Sequence, residues 1–167
     1  IFHVHGLIFA FHGALNAGME MIIHTKFDPV TTLAAIDKYH CTVFMGVPTM
    51  YHRLLQIPNP KQYNLSSMRL WISGSAPLST TTFEHFQQVF GQTVLERYGM
   101  SETGINTSNP LNGVRKPGSV GLPLPGVAMR IVDPTGKDVK PGEVGEVLIK
   151  GKNVFQGYWQ MPAKTAE

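Results

Sequence analysis

The run from Tyr98 to Glu102 places an aromatic ring, a glycine, a hydroxyl and a carboxylate within five consecutive residues. An aromatic ring can stack on a nucleobase and a hydroxyl can donate to a phosphate, while Mg²⁺ takes one or two carboxylates together with phosphate oxygens. The run follows a short apolar stretch, Thr93–Leu95, which we predict to be a strand that ends in a loop. Ligands of α/β folds bind at the carboxyl ends of strands, so this run predicts a nucleotide and magnesium site.

Two more glycine-containing turns follow strand-like stretches, in Val43–Thr49 and Trp71–Pro77. Glycine lets a backbone approach a ligand closely, and the small residues after Gly74 leave space for a flat ring. Each turn alone is explained as well by close packing at a strand end. If the three strands are neighbours in one sheet, the three turns meet at one cleft.

The three turns can meet only if the strands before them belong to one sheet. The first hundred residues alternate helix and strand signals in a way that fits such a sheet. Asp28 followed by Pro29 predicts a helix start, and Ser79 with Gly91 predicts the two ends of another helix. This alternation favours an α/β fold with a parallel sheet and crossover helices. The predicted elements are helices from Asp28 to His40, from Pro48 to near Pro58 and from Ser79 to Gly91, with strands Thr42–Met45, Met68–Ser73 and Thr93–Leu95.

The pattern changes after Thr103, where glycine and proline become frequent and helical periodicity ends. Two alternating stretches, Val127–Asp133 and Val144–Lys150, are separated by turn signals. We predict a small antiparallel sheet or barrel here. The expected division is an α/β portion over residues 1–118 and a β-rich subdomain over residues 119–167.

Composition excludes some classes of protein. With 167 residues, 43% of them hydrophobic and 15% charged, the chain can bury one ordinary core. The net charge of +3 is spread over single lysines and arginines rather than clustered with aromatics, which argues against a nucleic-acid surface. The longest apolar stretch, Leu7–Leu15, is too short to span a membrane and is predicted to be a buried helix. The lone Cys41 indicates a reduced core thiol.

Neither end of the chain resembles a natural terminus, so we expect an internal piece of a longer protein whose targeting signals cannot be read. We expect a cytoplasmic protein, with a mitochondrial one as the alternative. The sequence indicates nothing about oligomeric state.

His3 and His5 alternate near the start of the chain, a spacing that would put both on one face of a strand. A metal site would need a third ligand, and the one nearby candidate, His12, is separated from the pair by predicted helical residues. We therefore interpret His5, His12 and His24 as packed histidines, and His3 is considered separately below.

Four segments in chain order resemble motifs of the adenylate-forming superfamily, which includes acyl-CoA synthetases, luciferases and peptide-synthetase adenylation domains. The usual Tyr-Gly-Met-Thr-Glu of that superfamily has Ser101 in place of threonine, which keeps the hydroxyl. The resemblance covers the whole chain. The segments are Gly74–Leu78, Glu96–Glu102, Pro117–Gly126, and Gly145–Gly151 followed by Val154–Tyr158.

The resemblance implies an AMP-forming acid–thiol ligase that uses ATP, Mg²⁺ and coenzyme A. Tyr98 would stack on adenine, Ser101 would contact the α-phosphate, and Glu102 would bind the metal ion. His3, in a Phe-His-x-x-Gly segment, would border the substrate carboxylate and the thiol tunnel. The implied catalytic residues are His3, Ser101 and Glu102; the implied nucleotide-binding residues are Gly74, Ser75, Ala76, Pro77, Glu96, Arg97, Tyr98, Gly99, Met100 and Ser101.

Within that superfamily the chain resembles the malonyl-CoA synthetases most, in Gly46–Arg53, Arg69–Pro77 and Asn106–Pro110. A dicarboxylate needs a cation for its second carboxyl group, because a buried unpaired charge is costly. Arg53 is the candidate, with Ser75 assisting; the implied substrate residues are His3, Arg53, Ser75 and Met100. A surface role for Arg53 stays open, as do a fatty-acid or aryl-CoA ligase and a non-catalytic nucleotide-binding relative.

Several parts that such an enzyme needs are not in this sequence. The resemblance places the phosphate-binding loop before Ile1, and the ribose-binding aspartate and the catalytic lysine after Glu167. We therefore predict that these 167 residues alone do not catalyse the full reaction.

Overall fold

The structure of the chain is a computed structural model that describes residues 3–167. Five α-helices and seven β-strands form, together with a π-helical segment, His5–His12, and a short 3₁₀ turn, Pro60–Gln62. The helices are α1 (Gly13–Asn16), α2 (Pro29–Tyr39), α3 (Pro48–Leu55), α4 (Thr80–Phe90) and α5 (Pro162–Ala166). The strands are β1 (Val43–Gly46), β2 (Leu70–Ser73), β3 (Val94–Met100), β4 (Gly104–Ser108), β5 (Leu122–Pro123), β6 (Val127–Val132) and β7 (Glu146–Gly151).

The helix ends lie where the capping residues predict them. The Asp28 carboxylate accepts a 2.8 Å hydrogen bond from the Thr31 amide, and Pro29 begins α2. Ser79 Oγ accepts from the Thr82 amide at 3.1 Å at the start of α4, which ends at Gly91 with a left-handed φ of 69°. These bonds satisfy amides that a helix start leaves without a partner.

The main sheet contains five strands in the order β1-β2-β3-β4-β5. Strands β1, β2 and β3 are parallel, and β4 and β5 are antiparallel to their neighbours. Gly46 pairs with Ser73, and Ser73 pairs with Glu96. The three glycine-containing turns therefore follow the carboxyl ends of neighbouring parallel strands, on one side of the sheet, as the sequence predicts.

One boundary in the main sheet differs from the prediction. Strand β3 does not end at Leu95 but continues to Met100 and returns through a tight turn as β4. The Tyr98–Glu102 run is therefore the end of a β-hairpin rather than an open loop. Pairing with β4, which the local pattern does not predict, extends the strand through polar residues.

The second sheet is a two-stranded antiparallel ribbon of β6 and β7, with Val127 opposite Gly151 and Val132 opposite Glu146. It is not closed, so the predicted small sheet forms and the barrel alternative does not. Strand β5 joins the main sheet through β4.

An aromatic core lies between the main sheet and helices α2, α3 and α4. Trp71 packs edge-on against Phe86, with ring centroids 5.1 Å apart, and Tyr51 packs edge-on against Phe86 at 5.4 Å. The Tyr51 hydroxyl donates to the Ile72 carbonyl at 2.6 Å, so its polar end is satisfied inside the core. This packing fixes the positions of β1 and β2.

The prediction of a buried helix over Leu7–Leu15 is wrong in its burial. The segment is helical, but Leu7, Ile8 and Leu15 are 36%, 42% and 55% exposed, and only His5 of the π-helical segment is buried. A single face of the segment covers the sheet edge, so most of its apolar residues lie away from the core. No helix within residues 3–167 is long and apolar enough to cross a membrane.

Candidate functional site

The β3–β4 hairpin brings the Tyr98–Glu102 run to the edge of the sheet. A register shift between Tyr98 and Gly99 bends the strand there, and the Thr103 amide closes the turn on the Met100 carbonyl at 3.2 Å. A Cβ on Gly99 would lie 2.0 Å from the Gly104 carbonyl oxygen. Only glycine fits at this crossing, so the glycine of the motif has a structural reason here.

The side chains at the end of the hairpin are accessible to a ligand. Tyr98 and Glu102 are half-buried, and Met100 and Ser101 are exposed. The Tyr98 hydroxyl makes a weak 3.7 Å contact with Met100 Sδ. The part of this side chain best suited to contact a ligand is therefore the face of its ring. Aromatic, hydroxyl and carboxylate groups are thus presented together on one turn.

The segment after β7 holds the turn of the hairpin. The Phe155 amide donates to the Glu102 carbonyl oxygen at 2.8 Å, and the Tyr158 hydroxyl donates to Glu102 Oε1 at 2.9 Å. Asn153 Nδ2 donates to the Thr103 carbonyl oxygen at 2.8 Å. These contacts join two of the segments on which the family resemblance depends.

The Gly74–Pro77 turn follows β2 and faces β3. Ser75 has a left-handed backbone with φ of 70°, which is uncommon for a residue with a side chain. Its Oγ lies 3.1 Å from His5 Nδ1. Ala76 and Pro77 are exposed, so the surface beside this turn is open.

Strand β3 sends its charged residues to opposite faces of the sheet. Glu96 is 3% exposed, and its Oε1 accepts from the Leu78 amide at 2.9 Å. Burial raises the pKa of this carboxyl group, and the bond from the Leu78 amide partly opposes the rise. This contact indicates that Glu96 holds the turn in place from the α4 side.

Arg97 lies on the other face, below the π-helical segment. Its Cζ is 4.8 Å from the centre of the Phe9 ring, and a Cβ on Gly74 would lie 2.8 Å from Arg97 Nη1. Burial lowers the pKa of the guanidinium from its ordinary value. Arg97 thus packs against the turn of β2 and against Phe9.

The histidine that the structure places at this turn is His5, which the sequence analysis interprets as a packed residue. It is 7% exposed, and burial together with the positive charge of Arg97 lowers its pKa to about 4. His5 is therefore neutral at pH 7. His3 is exposed, and its carbonyl oxygen accepts from the Leu7 amide at 2.8 Å. On a strand, the side chains of His3 and His5 would lie on one face. In the helical backbone found here, one is exposed and the other is buried.

Arg53 lies apart from these residues. It is exposed on α3, and its Cζ is 5.0 Å from the centre of the Phe27 ring. Within residues 3–167, no hydrogen bond or ion pair joins its guanidinium to the hairpin or to the Gly74–Pro77 turn. The site that the structure assembles contains Ser75, Arg97 and the hairpin, without a contact from Arg53.

Glu102 suits a magnesium ion that is shared with a nucleotide. One carboxylate oxygen accepts from Tyr158, and no hydrogen bond to the other is found in the described part of the chain. No group of three or more His, Cys, Asp or Glu side chains that could hold a metal forms among residues 3–167. One carboxylate with phosphate oxygens and water is a donor set that Mg²⁺ accepts.

The mixed sheet with its crossover helices and hairpin end is the architecture of part of an adenylate-forming enzyme. A family model described as AMP-binding enzyme matches residues 1–159. The chain therefore belongs to the AMP-binding enzyme family.

The individual relatives are named for different substrates. The chain is 41% identical to a long-chain-fatty-acid–CoA ligase of Bacillus subtilis (strain 168), over 99% of this chain and 30% of the relative. It is 35% identical to the human mitochondrial malonate–CoA ligase ACSF3, over 98% of this chain and 34% of the relative. The crystal structure of ATP-bound MatB from Rhodopseudomonas palustris superposes with a TM-score of 0.91 at 49% identity, over 99% of this chain and 33% of that one.

The chain spans about a third of the length of these relatives. The hairpin and the turns correspond to one portion of the fold of these relatives.

Proposed function

We propose that the full-length protein containing this chain is an AMP-forming acid–thiol ligase. The observation that carries this proposal is the hairpin end, which presents Tyr98, Ser101 and Glu102 together in a chain of the AMP-binding enzyme family. The named relatives that are CoA ligases support the reaction class.

The proposed reaction has two steps. A carboxylate oxygen of the acid attacks the α-phosphorus of ATP, the bond to the β-phosphate breaks, and pyrophosphate leaves. The thiol of coenzyme A then attacks the acyl carbon of the adenylate, loses its proton and expels AMP. The products are an acyl-CoA, AMP and pyrophosphate.

The hairpin residues bind and orient the nucleotide in this proposal. Tyr98 stacks on adenine, the Ser101 hydroxyl donates to the α-phosphate, and the Gly74–Pro77 turn borders the base and the acid. Glu102 would hold Mg²⁺, which when bound would supply positive charge next to the phosphates. Tyr158 fixes the Glu102 carboxylate through its 2.9 Å hydrogen bond. His3 and Met100 border the acid in the same scheme.

A short dicarboxylic acid such as malonate is the proposed substrate. The identity to human malonate–CoA ligase supports it, and so does a cationic residue, Arg97, beside the Gly74–Pro77 turn. The competing candidate is a fatty acid, which the 41% identity to a bacterial long-chain-fatty-acid–CoA ligase favours.

Product analysis of the full-length protein tests the proposal. The protein is incubated with ATP, Mg²⁺, coenzyme A and, in separate reactions, malonate, propionate, octanoate or an aryl acid. We expect malonyl-CoA with AMP in equal amounts and little product from octanoate. Preferential octanoyl-CoA formation would reject the dicarboxylate, and absence of AMP with every acid would reject the ligase.

A further inference from the structure

A largely buried network of polar side chains lies behind the turn that carries Glu102. Thr103 and Asn106 are only 6% and 0% exposed, although both side chains are polar. Asn106 Nδ2 donates to Thr103 Oγ1 at 2.8 Å, and Asn153 Nδ2 donates to Asn106 Oδ1 at 3.0 Å. Burying polar groups is costly unless they are hydrogen-bonded, so these bonds favour one arrangement of the three side chains.

A backbone carbonyl fixes the direction of the hydrogen bonds from Asn153. Its Nδ2 also donates to the Thr103 carbonyl oxygen, at 2.8 Å. A carbonyl oxygen can only accept, so the amide nitrogen of Asn153 faces the turn, and both of its N–H groups are used. Asn153 Oδ1 is buried without a hydrogen-bond partner among residues 3–167. The position therefore requires a hydrogen-bond donor, which an aspartate of the same shape cannot supply.

Glycine at the end of β7 leaves the space that the Asn153 side chain occupies. A Cβ on Gly151 would overlap Asn153 Oδ1 and would lie 2.8 Å from the Gly126 carbonyl oxygen. A larger residue at position 151 would therefore displace the Asn153 amide from the turn. Two positions of the segment that follows β7 are thus fitted to the same contact.

The network reaches Glu102 through the backbone beside it. The Thr103 carbonyl accepts from Asn153, and the Glu102 carbonyl accepts from the Phe155 amide at 2.8 Å. The β6–β7 ribbon is not part of the main sheet, so these bonds and the one from Tyr158 join its end to the hairpin. Two successive carbonyl groups of the turn are held in this way, and the direction of the Glu102 side chain depends on their position.

We propose that Asn153 is a positioning residue that places the Glu102 carboxylate for the Mg²⁺ of bound ATP. Its amide contacts the Thr103 carbonyl and Asn106 rather than the carboxylate itself. Residues that orient a metal-binding side chain typically change metal affinity about 10-fold to 100-fold when they are replaced. This inference deepens the proposed function and rests on it for the use of ATP with Mg²⁺.

Calorimetric binding of ATP to the full-length protein tests the inference, without an acid so that no adenylate forms. ATP is titrated once with excess Mg²⁺ and once with EDTA, and the ratio of the two dissociation constants measures the effect of Mg²⁺. Asn153→Asp keeps the shape but replaces the donor with an acceptor, and Asn153→Ala removes the amide. Asn112→Asp, at an exposed asparagine, is the matched control, and Glu102→Gln removes the metal-binding carboxylate.

We expect Mg²⁺ to strengthen ATP binding to the wild-type protein, and both Asn153 variants to lose about 10-fold of this effect. In EDTA, Asn153→Ala should bind ATP as the wild type does, which shows that the variant is folded and still holds the base. Asn112→Asp should match the wild type in both titrations. Asn153→Ala should add nothing to Glu102→Gln, because both changes act on the same carboxylate.

The inference is overturned if both Asn153 variants keep the full effect of Mg²⁺, or if Mg²⁺ does not affect ATP binding to the wild type. Equal weakening with Mg²⁺ and with EDTA in Asn153→Ala would also overturn it, as would an equal loss in the wild-type and Glu102→Gln backgrounds. The proposed function fails separately: a protein with the expected Mg²⁺ dependence that forms no AMP with any acid retains the role of Asn153 and rejects the ligase.

Discussion

At the scale of single residues, Tyr98 offers the most direct test of nucleotide contact. Among residues 3–167 its hydroxyl contacts only Met100 Sδ, at 3.7 Å, so the ring rather than the hydroxyl should contribute to nucleotide binding. In the full-length protein, Tyr98→Phe should leave the KM for ATP nearly unchanged, and Tyr98→Ala should raise it about 10-fold or more through lost stacking. Steady-state kinetics measures both. Equal effects of the two variants would contradict a stacking role.

His5 makes a separate prediction about pH. Its folded pKa of about 4 lies below the ordinary value of 6.5, so the unfolded chain binds the additional proton between these values. The contribution of neutral His5 to the free energy of unfolding is fully present above about pH 6.5. It decreases as the pH is lowered towards 4, by about 2 kcal/mol between pH 7 and 5. Urea unfolding of the wild type and His5→Gln measures the difference. The variant should lack this part of the pH dependence, and identical slopes would refute it.

The sequence predicted that Tyr98, Ser101 and Glu102 lie together at one turn, but it did not predict which histidine lies beside the Gly74–Pro77 turn. The ring, hydroxyl and carboxylate of Tyr98–Glu102 indicate nucleotide binding whether the run is an open loop or the end of a hairpin. The choice between His3 and His5 depends on the local backbone: His3 precedes the π-helical segment, and His5 is its first residue. Arg97 Nη2 is buried without a hydrogen-bond partner among residues 3–167, and this burial arises from tertiary contacts that the local sequence does not reveal.

At the scale of elements, the β3–β4 hairpin depends on the close crossing at Gly99. A Cβ there would meet the Gly104 carbonyl oxygen at 2.0 Å, so Gly99→Ala should lower the free energy of unfolding by about 3 kcal/mol. Gly91→Ala is the control, because its φ of 69° is strained but its Cβ would meet nothing within 4 Å. Its cost should be about 1 kcal/mol. Chemical denaturation that ranks the two variants in the opposite order would disprove the crossing as the cause.

The Tyr158–Glu102 hydrogen bond links the segment after β7 to the hairpin. Because it fixes one carboxylate oxygen, Tyr158→Phe should raise the Mg²⁺ concentration for half-maximal activity about 5-fold with little change in maximal rate. Tyr39→Phe, at an exposed tyrosine on α2, serves as the matched control. A Mg²⁺ titration with equal midpoints in all three proteins would show that Tyr158 does not position Glu102.

Element starts were predictable where a side chain caps the helix, as at Asp28 and Ser79. The end of β3 was not predictable, because its last residues are strand only through pairing with β4. The predicted burial of the apolar run that forms the π-helical segment is wrong for a related reason. An apolar run is fully buried only where other elements pack against all of its faces.

At the scale of the whole molecule, the chain belongs to the AMP-binding enzyme family and spans about a third of the length of the relatives it matches. The parallel strands converge on one edge as alternating helix and strand signals predict. Relatives named for different acids, a long-chain-fatty-acid–CoA ligase and a malonate–CoA ligase, both match nearly the whole of this chain, so the shared fold does not distinguish the two acids.

Acid-dependent exchange of labelled pyrophosphate into ATP measures adenylation without coenzyme A. For the full-length protein, we predict exchange that depends on malonate, is much weaker with propionate, and falls at least about 100-fold in Glu102→Gln. Exchange that occurs equally without an acid, or that Glu102→Gln leaves unchanged, would contradict the assignment of this hairpin to acyl-adenylate formation.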